Sequence, residues 1–114
     1  MIDKIVCADL YKGYKYYIRR RSLDFRDFYC GYVEIPKDHI CYGVDEDDLE
    51  EINVHGGLTF SGYLDFSDEY LLGFDCAHAG DDTSVEDANY TANECERLID
   101  QLEEISKYEN TRIN

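Results

Sequence analysis

The chain has 114 residues, a net charge of −15, one proline, no tryptophan and a hydrophobic fraction of 44%. That length predicts a single domain over residues 1–114, and the apolar content is too high for a disordered chain. No apolar run approaches the roughly 18 residues of a membrane span, and the opening MIDKIVCADL lacks the apolar core of a secretory leader, so a cytoplasmic location is expected.

The elements follow from local periodicity. KIVCADLYKGYKYYIRRR reads as a β-hairpin, with a strand over residues 4–10, Gly13 in the turn and a second strand over about residues 14–20. The second strand alternates Tyr14, Tyr16 and Ile18 on one face with Lys15, Tyr17 and Arg19 on the other. RSLDFRD reads as a polar connection, and FYCGYVEI as a third strand stopped by Pro36. PKDHICYGVDEDDLEE is a loop with one helical turn capped by Asp45. INVHGGLTFSGYLDF reads as strand, glycine break and strand, and EYLLGFDCAH as a fifth strand.

From Ser84 the period changes. Ala88, Thr91, Cys95, Leu98, Leu102 and Ile105 form one helical stripe, with Ser84 and Asp87 as a capping box. The acids Glu94, Glu96, Asp100, Glu103 and Glu104 are expected on the outer face. The sum is an α+β domain: an antiparallel sheet of about four to five strands with one long C-terminal amphipathic helix packed on it.

Charge is unevenly spread. Residues 1–37 carry a net +3, and residues 38–114 carry −18. An acidic surface of that size repels nucleic acid and suits a basic protein partner, such as one built to hold phosphates. The basic run YYIRRR reads as a solvated strand edge, so no direct nucleic-acid binding is expected. The five cysteines, Cys7, Cys30, Cys41, Cys76 and Cys95, are widely spaced with no CxxC pair, which predicts reduced, mostly buried thiols.

The three histidines, His39, His55 and His78, each lie at or beside a predicted strand end. Imidazole suits zinc, with a carboxylate or thiolate completing a tetrahedral site. Asp75, Cys76 and Asp81 are the candidates for the fourth position, and the sequence leaves them open. A Cys76–His78 nucleophile pair is the weaker reading beside a buried thiol. The chain has no phosphate loop, dinucleotide fingerprint or GxSxG elbow.

GYVEIPKDH, VHGGLTFSG and GFDCAHAGD, in that order, resemble segments of a family of small phage and prophage proteins that includes zinc-binding type II anti-CRISPR proteins. The resemblance covers about residues 14–81. It implies one structural Zn²⁺ per chain held by His39, His55 and His78, and it draws attention to Asp75 and Asp81. Ile40 stands where the family pattern has proline, which makes His39 the least secure of these ligands. The function it implies is non-enzymatic: inhibition of a Cas9-type nuclease in the bacterial cytoplasm by blocking DNA loading. The acidic surface would meet a positively charged channel. Apart from the resemblance, a monomer or a weak homodimer through an exposed sheet edge is expected. The alternatives are a small metal-dependent hydrolase, using Asp75 or Asp81 as base, and a sponge for a nucleotide signal.

Overall fold

The computed structural model describes residues 2–113, with side chains described for residues 2–108. Strands β1 (Asp3–Tyr11) and β2 (Tyr14–Leu23) form the first hairpin, turning at Lys12 and Gly13. Both turn residues have positive φ, 51° and 84°, as the type I′ turn of a two-residue hairpin requires. Strand β3 (Arg26–Glu34) then pairs antiparallel with β2. The segment expected to be a polar connection is instead a second tight turn, at Asp24 and Phe25, with φ of 51° and 64°. The strands run on to Leu23 and Arg26, which face each other in register. The usual glycine signal is missing because a phenylalanine occupies the second left-handed position.

Strand β4 (Phe60–Gly62) and strand β5 (Leu71–Asp75) complete a five-stranded antiparallel sheet in the order β1-β2-β3-β5-β4. The segment before Gly56 was expected to be a strand, and it is not one. Ile52 and Val54 are buried as loop residues against the core. Helix α1 (Ala88–Ile113) covers one face of the sheet. Its start is capped by Asp87, whose Oδ1 accepts the Tyr90 N–H at 2.8 Å. Ser84 lies outside the helix, held by its own turn on Asp82.

The main core lies between the helix and the sheet. Thr91, Cys95, Leu98, Ile99 and Leu102 face Tyr14, Tyr16, Ile18, Val33, Leu72 and Phe74. Close approach depends on Gly31, where a Cβ would lie 2.6 Å from both Cys95 Sγ and the Phe74 ring. The opposite face carries a smaller cluster of Tyr17, Phe28, Cys30, Tyr32 and Leu71, roofed by Phe60, Leu64 and Phe66. The chain is thus of α+β class. Among the described residues no helix is long and apolar enough to cross a membrane.

Candidate functional site

Strand β5 ends at Asp75, and the chain turns through residues 76–82 beneath the start of α1. The side chains of this stretch are committed one by one. Asp75 Oδ2 accepts from the Thr59 hydroxyl at 2.9 Å, and its Oδ1 accepts the Ala77 N–H at 3.1 Å. Asp81 accepts the His78 N–H at 2.9 Å and the His55 Nε2–H at 2.9 Å. Arg26 donates to the carbonyls of Ala77 and His78 at 2.9 and 2.6 Å, clamping the loop to β3.

His55 bridges three segments. Its Nε2–H points to Asp81, its Nδ1 accepts the Tyr90 O–H at 2.8 Å, and its backbone N–H donates to Glu94 Oε1 at 2.8 Å. Glu94 was expected on the outer face of the helix. It is buried instead, held by His55 and by Arg97 at 2.9 Å. Tyr90 and Glu94 are four residues apart and share a helix flank. They are the functional neighbours that sequence reasoning missed, and their spacing just beside the apolar stripe was the available signal.

His78 packs on Gly56. A Cβ at that glycine would lie 2.1 Å from His78 Nε2, and its φ is 68°. Gly56 is therefore required twice, for its backbone angle and for the ring beside it. His78 Nε2 lies 3.5 Å from Asp75 Oδ1, an ion-pair distance without hydrogen-bond geometry.

His39 stands apart from these residues. It is buried, with Nε2 2.8 Å from the Leu102 carbonyl and Nδ1 accepting the Cys41 N–H at 3.0 Å. Twelve residues of helix separate Leu102 from Tyr90, roughly 18 Å along the axis. His39 thus does not join His55 and His78 in one site, because its loop tucks under the far half of α1.

The remaining donors form two pairs, His55–Asp81 and His78–Asp75, with the two imidazole centroids 5.7 Å apart. Four ligands of one zinc lie about 2.0–2.2 Å from the ion, and so within about 3.5 Å of one another. Among the described residues, the only three donors within 4.8 Å of each other are Asp45, Glu46 and Asp47, on an exposed acidic turn (Glu46–Asp48 and its cap). The arrangement as it stands does not fit one tetrahedral ion: His55 and Asp81 are hydrogen-bonded to each other, and His78 Nε2 is left without a hydrogen-bond partner.

Burial works to raise the Asp81 pKa, but hydrogen bonds from His55 and the His78 N–H outweigh it and hold the carboxyl below its ordinary value. Burial, with the Glu94, Glu86 and Asp81 carboxylates nearby, pushes the Tyr90 phenol up. A Tyr–His–Asp chain would serve nucleophilic catalysis only with a readily ionised phenol. Burial likewise pushes the Cys76 thiol up to about 12, and its Sγ faces Thr91 in the core. Cys76 is therefore a packing residue, unsuited to attack as a thiolate.

A second feature combines apolar floor and charge. Ile52 and Ile105 floor an open groove of about 320 Å³ between the 51–53 loop and α1, rimmed by Glu51, Asp100 and Glu104. Gln101 fixes its geometry, accepting the Asn53 N–H at 2.7 Å and donating to the Asn53 carbonyl at 2.9 Å. Lys12 pairs with Asp100 at 2.7 Å on one side.

Comparison with known proteins finds no matching family model, curated protein or solved structure. The resemblance drawn above rests on the three quoted segments alone.

Proposed function

We propose that this chain is a non-catalytic binding protein whose acidic half docks on a basic, phosphate-holding surface of another protein. The target that the segment resemblance names is a Cas9-type nuclease in a bacterial cytoplasm, inhibited by occupation of its DNA-loading surface. The groove between Ile52 and Ile105 supports this reading most directly. An apolar floor with Glu51 and Glu104 at its rim, beside an Asp100 already paired with Lys12, fits an apolar side chain flanked by lysine or arginine. It lies in the part of the chain that carries −18, so long-range attraction and local contact favour the same class of partner. Zinc forms no part of this reading, because His39 lies away from the other expected ligands and the His55–Asp81 and His78–Asp75 pairs do not converge on one point.

The test is inhibition of DNA cleavage by purified Cas9-type nuclease, with binding measured across a salt series. Binding is expected to weaken as salt rises. Glu51→Lys with Glu104→Lys is expected to slow association by about tenfold, as rim charges do. A nuclease that cleaves matched DNA at full rate in excess inhibitor removes the Cas9 target. An unchanged association rate in the double variant removes the groove.

A further inference from the structure

The sheet has two edges of very different kind. At one end β4 is three residues long, too short to template another strand. At the other end β1 is nine residues long and mostly exposed, with Val6 40% and Leu10 67% accessible. An outermost strand leaves half its backbone N–H and C=O groups without a strand partner. Charged residues and bulges normally protect such an edge, and β1 has both: Asp3, Lys4 and Asp9, and a bulge between Ile5 and Cys7.

The bulge changes what the charges do. Lys4 pairs with Arg20 of β2, and Asp9 pairs with Tyr16. Arg20 and Tyr16 are four residues apart on an uninterrupted strand, so they share a face. Lys4 and Asp9 must then share that face too, although five residues separate them. On a regular strand two residues five apart point to opposite faces, and the extra residue at Val6 is what brings them to the same one.

We propose that β1 pairs antiparallel with β1 of a second copy, about a two-fold axis between Val6 and Cys7. In that register Lys4 of each copy lies opposite Asp9 of the other, and Ile5 lies opposite Ala8. Two opposite-charge cross-strand pairs form, on one face, from a single strand sequence. No other register over these residues sets both Lys4 residues against Asp9. β1 lies in the part of the chain with a net +3, and the acidic helix meets the hairpin at its turn, where Lys12 pairs with Asp100. The contact is one strand edge, so the dimer belongs to the small, reversible class.

The experiment is sedimentation equilibrium of the full chain from micromolar to millimolar concentration, with circular dichroism confirming each variant's fold. The wild type is expected to move from 13.3 kDa toward twice that mass as concentration rises. Lys4→Asp alone and Asp9→Lys alone are each expected to weaken the dimer about tenfold or more, since each sets like charges opposite. The double variant, Lys4→Asp with Asp9→Lys, is expected to restore it. The single changes move net charge in opposite directions, so a general charge effect would shift them oppositely, whereas the paired register weakens both. A wild type that stays monomeric throughout, single variants that dimerise like the wild type, or a double variant that stays weak each overturns the proposal.

Discussion

Replacing His55 with alanine tests whether the His55–Asp81–Tyr90 network braces the fold. The side chain is 18% exposed and Asp81 is 9% exposed, so water replaces the lost contacts only in part. A hydrogen bond to a carboxylate contributes about 1.5–3 kcal/mol and one to a neutral hydroxyl about 1 kcal/mol. The expected loss is therefore about 3 kcal/mol, toward the low end of that sum because the site is not fully dry. Over 114 residues the unfolding entropy is about 0.24 kcal/mol per degree. The midpoint should fall by roughly 12 °C in calorimetry. The same scans with a chelator should leave the wild-type midpoint unchanged, because the brace consists of hydrogen bonds. A fall under about 2 °C, the size of an ordinary surface substitution, would refute the brace. A chelator-induced fall that zinc reverses would show that an ion gathers these side chains.

Gly56→Ala and Gly57→Ala separate two causes of strain. Both positions have positive φ, 68° and 81°, but only Gly56 has a ring in the way of a Cβ. Gly57→Ala should cost about 1–2 kcal/mol from the backbone alone, and Gly56→Ala should cost more in denaturant titrations, by the displacement of His78; equal costs would deny that packing. Asp81 is held ionised in the fold, so its contribution is present above its ordinary value of 3.8 and is lost as pH falls through its lowered folded value. Asp81→Asn should flatten the loss of stability in that acid range, measured by urea unfolding at several pH values, and an unchanged slope would contradict it.

Local periodicity carried the first hairpin, the third strand and the helix. Alternation over residues 14–18 and the stripe from Thr91 to Leu102 are short-range patterns, and the structure buries those residues on the facing sides of sheet and helix. The turn at Asp24 and Phe25 was not legible, because cross-strand pairing holds a phenylalanine where glycine usually signals a turn. Nor was the non-strand character of Ile52 and Val54. Their alternation matches a strand, but they bury against the helix side of the core without joining a ladder.

The histidines show the limit most clearly. Sequence marks His39, His55 and His78 as chemically able residues near strand ends, and it marks the acidic half and the basic strand edge. It does not say which ends meet. The path of the loops over α1 decides that: it carries His39 to Leu102 and His55 to Tyr90, on different lengths of one helix. Spacing along the chain encodes periodicity within an element, because neighbouring residues share a backbone geometry. Contacts between elements depend on packing across the whole core, so only the tertiary structure turned GFDCAHAGDD into a hydrogen-bonded brace.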